Sequence, residues 1–83
     1  MAKGQIKHSL TLHGHRTSVT LEAEFWEAFR EIANQRGMAL NALATEIDAA
    51  RGPDEGLASS MRRYCLAYYR RLAKRESASP EQG

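Results

Sequence analysis

The chain has 83 residues, of which 42% are hydrophobic and 27% charged, and a formal net charge of +2. That length allows one domain, and the single cysteine, Cys65, excludes a disulfide within the chain. No run of 18 apolar residues and no apolar signal core at the N-terminus exist, so the reading is a soluble, cytoplasmic protein with no membrane contact and a reduced thiol. A chain this short buries only a modest share of its surface, which makes a partner subunit the expected source of further core.

The small net charge hides a pattern. Residues 1–21 carry Lys3, Lys7 and Arg16 and no acid. Residues 22–56 are acidic, with eight acids against three arginines. Residues 57–83 are basic again, with six bases against two acids. Basic ends around an acidic middle suit a chain that offers one face to a polyanion; ordinary solubilising charge is the plainer reading.

Residues 1–7, "MAKGQIK", read as a flexible basic arm. "HSLTLHGHRTSVTL" then alternates polar and apolar residues on both sides of Gly14. Two strands around a four-residue "HGHR" loop would pair Leu12 with Thr17 and Leu10 with Val19, placing all four apolar residues on one side. An arm followed by a single strand from about residue 16 fits as well. A lone strand leaves both edges unpaired, and the simplest partner is the same strand of a second chain across a two-fold axis. Val19 and Leu21 would then face inward, with Arg16, Ser18 and Thr20 outward. Such a ribbon fits the major groove of B-DNA.

A first helix is predicted over residues 22–36, with Phe25, Phe29, Ile32 and Ala33 at helical spacing and Trp26 beside them. Glu22 and Glu24 suit its positive end, and Gly37 supplies a left-handed stop. A second helix is predicted over residues 39–50, with Leu40, Leu43, Ala44 and Ile47 as its stripe and "RGP" as its end. After the "PDEG" connector, a third helix is predicted over residues 57–75. Leu57, Met61, Tyr64, Tyr68 and Leu72 share one face there, Cys65 lies beside them, and arginines and lysine crowd the rest. Residues 76–83, "ESASPEQG", read as a disordered tail.

"RTSVTLEAEFWEAFREIANQRGMALNALATEID", residues 16–48, resembles the ribbon-helix-helix proteins, the fold of the Arc and methionine repressors. The pieces "SLTLHGHRTSVTLE", "EFW" and "LASSMRRY" look more like a small bacterial subfamily of ribbon-helix-helix domain proteins. The fold class expected is therefore mainly α with a short β-ribbon: an intertwined ribbon-helix-helix homodimer with an additional C-terminal helix. The resemblance implies base contacts from Arg16, Ser18 and Thr20. It implies a phosphate held by the backbone amides of Met38, Ala39, Leu40 and Asn41, as helix N-termini do. Lys3, Lys7, His13 and His15 would add phosphate contacts. Val19, Leu21, Phe25, Trp26, Phe29, Ile32, Leu40, Leu43 and Ile47 would form the dimer core.

Three features depart from the pattern. Ser18 and Thr20 are short for base readers. The usual Ser or Thr cap before the second helix is missing, with Ala39 in that region. The third helix does not belong to the minimal fold.

His8, His13 and His15 invite a metal reading, but no further ligand stands at fixed spacing, so neither metal nor cofactor is expected. Phosphate contacts suit a turn of His, Gly and Arg. The aromatic residues of the first helix read as core. Tyr64, Tyr68 and Tyr69 suit packing of the third helix, with stacking on bases as the rival. No catalytic motif appears, so the protein is not expected to be an enzyme. The expected function is a DNA-binding transcriptional regulator, read as a repressor, acting on double-stranded DNA as a homodimer or tetramer at the bacterial nucleoid. The rival is a dimeric protein-interaction module, or an antitoxin-like protein, that docks a partner through residues 57–75; the short Ser18 and Thr20, the missing cap and a hairpin over residues 8–21, whose four-stranded dimer sheet would be broad for the groove and would take Arg16 off the ribbon, favour it.

Overall fold

The structure, a computed structural model, describes residues 4–78. The chain begins with a β-hairpin made of β1 (Gln5–Leu12) and β2 (His15–Glu22). Three helices follow: α1 (Ala23–Gln35), α2 (Leu40–Ala50) and α3 (Leu57–Ala78). The strand before α1 thus finds a partner in its own chain, and the single-strand alternative falls away.

The hairpin differs from the four-residue loop considered above. Leu12 pairs with His15, Leu10 with Thr17, His8 with Val19 and Ile6 with Leu21. The loop is only His13–Gly14, with φ of 53° and 78°. Two consecutive left-handed residues are the signature of the turn whose twist matches that of paired strands. Glycine takes that conformation freely, and histidine is one of the residues that tolerates it. The register shifts, but by an amount that keeps the faces: Leu10, Leu12, Val19 and Leu21 are all buried on one side.

Other boundaries move slightly. The basic arm expected over residues 1–7 is strand from Gln5 onward, because the tight turn lets pairing run to Gln5–Glu22. Residues 1–3 lie outside the described residues. Glu22 is extended and precedes α1 instead of joining its first turn, which retains Glu24. Of the tail expected over residues 76–83, residues 76–78 are helical, since α3 continues to Ala78; residues 79–83 lie outside the described residues.

The end of α1 follows directly from Gly37. With φ at 67°, it turns the chain so that its own N–H donates to the Asn34 carbonyl (3.1 Å) and the Met38 N–H to the Ala33 carbonyl (2.8 Å). This pair of bonds satisfies the last carbonyls of the helix. In the α2–α3 connector, Arg51 donates to Asp48 Oδ1 (2.6 Å) and to the Glu55 carbonyl (2.6 Å).

The core draws on all five elements. Phe29, Ile32 and Ala33 of α1 meet Leu43, Ala44 and Ile47 of α2, the four apolar hairpin residues, and Met61 and Cys65 of α3. Met61 is fully buried, so α3 is part of the core and not an appendage. Polar bonds tie it down further. Arg62 grips Glu22 (2.8 Å), Tyr69 donates to Glu31 (2.9 Å), Tyr68 to Gln35 (2.8 Å), and Arg36 donates to Tyr64 (2.7 Å). Among the described residues no helix is long and apolar enough to cross a membrane.

Candidate nucleic-acid interface

The hairpin has two unlike faces. One rests on the helices. The other carries Lys7 opposite Thr20, Ser9 opposite Ser18, and Thr11 opposite Arg16, all six exposed. Arg16, Ser18 and Thr20 therefore lie together on the outward face of β2. Arg16 stays on the strand because the loop takes only two residues. The same register adds Lys7, Ser9 and Thr11, and the last two were not anticipated. Their signal was present in the alternation of "KHSLTL", but it could be used only once the turn was known.

The face is cationic. Lys7 and Arg16 are its charges, and its one acid, Glu22, sits at the base. There the Glu22 carboxylate accepts from Arg62 Nε (2.8 Å), Arg62 Nη2 (3.3 Å) and Gln5 Nε2 (3.0 Å). The bond from Arg62 first, and that from Gln5 second, hold its pKa down at about 2. Glu22 is thus a paired carboxylate at neutral pH, and its charge is offset where it stands.

The edges of the sheet also differ. The Thr11 N–H leaves the hairpin and donates to Asn41 Oδ1 of α2 at 3.0 Å. Thr11 and Arg16 are thus a pair without mutual backbone bonds, and alternation sends the backbone groups of Arg16, Ser18 and Thr20 to the far edge of β2. That edge has no strand partner among the described residues.

The start of α2 lies beside Thr11 through the Asn41 bond. Ala39 is its extended cap residue and offers no side-chain acceptor. The N–H groups of Leu40 and Asn41 are the unpaired donors that every helix start leaves. Met38 was expected among the phosphate-binding amides; its N–H is committed to Ala33, so it drops from that set. The Asn41 side chain is likewise committed, to Thr11, a contact 30 residues apart that no local signal announces.

His13 and His15 are exposed at the hairpin tip. His8 sits apart from them on the inner face, stacked on Trp26 with ring centroids 3.8 Å apart. No cluster of three metal-ligating residues occurs among the described residues. Lys3 lies outside them.

Of the residues expected in a dimer core, Val19, Leu21, Phe29, Ile32, Leu43 and Ile47 are buried within the single chain. Phe25, Trp26 and Leu40 are half-buried against that core. An open hollow of about 650 Å³ lies between α1 and the start of α2, lined by Glu27, Arg30, Glu31, Ala33 and Asn34 on the α1 side and by Met38 and Leu40 on the other.

The pattern of the ribbon-helix-helix domain matches residues 5–69, from the first strand into α3. The solved structure of an uncharacterized protein from Bordetella pertussis Tohama I is similar, with a TM-score of 0.70 and 31% sequence identity. The similarity covers 87% of this chain and 61% of that one, so the chain spans less than two thirds of that protein's length. No curated protein matches. A two-stranded ribbon ahead of helices, and a pattern match that covers most of the chain, make this protein a member of the ribbon-helix-helix domain family, typically a non-enzymatic fold of DNA-binding regulators.

Proposed function

We propose that the protein is a DNA-binding transcriptional regulator, acting as a repressor at the bacterial nucleoid and binding as a homodimer or a pair of dimers. The observation that carries this reading is the outward hairpin face, where Lys7 and Arg16 stand among four hydroxyl side chains and the one acid is ion-paired. Arg16, Ser18 and Thr20 read base edges in the major groove. Of the three, Arg16 has the reach for a bidentate contact with guanine, worth about 1–3 kcal/mol of discrimination. Lys7, His13, His15 and the first amides of α2, from Ala39 to Asn41, contact phosphates, and Lys3 joins them from the N-terminus. The unpaired edge of β2 supports dimerisation, since an open edge favours pairing with another strand.

The test is selection of the purified protein against a random-sequence duplex pool at two salt concentrations. The expected result is an enriched palindromic or directly repeated motif with half-sites about one helical turn apart, and affinity that falls steeply with salt. Retention without a motif would refute specific regulation.

A second reading has its own support. Arg70, Arg71, Lys74 and Arg75 are exposed on α3, and no ion pair occupies them among the described residues. Such a face fits an acidic partner protein, as in an antitoxin-like protein. No retention of any duplex at low salt would favour it.

A further inference from the structure

We infer that β1 is the phosphate-gripping flank of the DNA-binding sheet, with Lys7, Ser9 and Thr11 lying over the backbone while β2 alone reads bases. This rests on the proposed DNA-binding function and assigns a role within it to a strand that the minimal ribbon lacks.

Three observations carry it. The first is edge asymmetry. The outer edge of β1 is occupied at Thr11 by Asn41, whereas β2 has no strand partner on its far side among the described residues. A second copy therefore pairs through β2, giving the strand order β1–β2–β2–β1.

The second is width. Neighbouring strands lie about 4.8 Å apart, so four strands span roughly 14 Å between the outer backbones. The major groove is about 12 Å wide. The central β2 pair enters it, and the two β1 strands stand at its walls, where the phosphates are.

The third is chemistry. Lys7 is a point charge, and Ser9 and Thr11 are hydroxyl donors; these groups serve bases and phosphates alike, and at the groove walls it is phosphate oxygens that they meet, contacts that position without reading sequence. All three are exposed on the outward face. The 3.0 Å bond from Thr11 N–H to Asn41 Oδ1 brings the start of α2 to the same wall, so Asn41 is a positioning residue.

The test compares binding to the selected duplex and to a scrambled duplex of the same length over a salt series. Lys7→Ala should weaken both alike and reduce the salt slope by about 1.8 per dimer, from two phosphates at about 0.9 each. Ser9→Ala with Thr11→Ala should also lower both affinities by one factor, leaving their ratio unchanged. Asn41→Asp keeps an acceptor for the Thr11 N–H but sets a negative charge beside the phosphates. It should preserve the fold and weaken both duplexes more than tenfold. A changed base preference in any β1 variant would overturn the assignment in favour of readout by both strands. Unchanged affinity in all three variants, with the wild type still selecting its motif, would overturn it while leaving the proposed function intact. A wild type that binds no duplex would instead remove the function, and the assignment with it.

Discussion

Met61→Ala tests whether α3 is part of the core in solution. Met61 is fully buried, inserted from α3 into the cluster that joins the hairpin, α1 and α2. Truncating a buried methionine removes its transfer free energy and leaves a cavity, at a cost of about 2–5 kcal/mol. A domain of this size has a total stability of roughly 5–15 kcal/mol, so the loss is a large fraction. Each kcal/mol shifts the midpoint of a 60–100-residue domain by about 4–8 °C, so even the low end of the cost predicts a drop of roughly 8–16 °C. The assay is thermal unfolding followed by circular dichroism at one fixed protein concentration, since partner binding would shift the midpoint. Leu66→Ala, on the same helix and 57% exposed, is the control. It should change stability by at most about 0.5 kcal/mol. A Met61→Ala midpoint within about 2 °C of the control would refute the packing of α3 onto the hairpin and helices.

Four further outcomes are expected. Arg16→Ala should relax base preference at one position of the selected motif, by about 1–3 kcal/mol of discrimination; equal losses on selected and scrambled duplexes would remove its reader role. Gly14→Ala should cost about 1–2 kcal/mol in urea unfolding, because the site is open but its φ of 78° strains an L side chain. Glu22 has a depressed pKa, so the stability it contributes is present above its ordinary value of 4.5 and is lost as pH falls towards about 2; Glu22→Gln should flatten stability over that interval, and an unchanged profile would deny the Arg62 pair any part. Burial raises the Cys65 thiol to about 11, so at pH 8 it should react with a disulfide reagent far more slowly in the folded protein than in denaturant.

Much of the architecture was legible because its causes are local. The α1 stripe of Phe29, Ile32 and Ala33 announced a helix and its buried face, and Gly37 announced the stop. Ser18 and Thr20 could be placed outward from alternation alone. The hairpin register was not legible, because "HGHR" accommodates a four-residue or a two-residue loop, and a left-handed histidine is a poor turn signal beside Asn-Gly or Asp-Gly. The candidate site divides along the same line. The residues of β2 were visible, while Ser9 and Thr11 depended on a register, and the Asn41–Thr11 bond on the docking of α2.

The residues taken in order were enough to tell which faces are apolar, roughly where three helices lie, that Gly37 stops the first of them, and how charge is segregated along the chain. Each of these follows from side-chain periodicity and backbone chirality within a few residues. That β2 takes a partner from its own chain, that α3 helps close the core, and that Glu22, 40 residues from Arg62, is ion-paired at the base of the outward face became visible only in the folded chain. These outcomes depend on contacts between distant segments, in which burial and loop closure outweigh local preference, and no short stretch of residues encodes that balance.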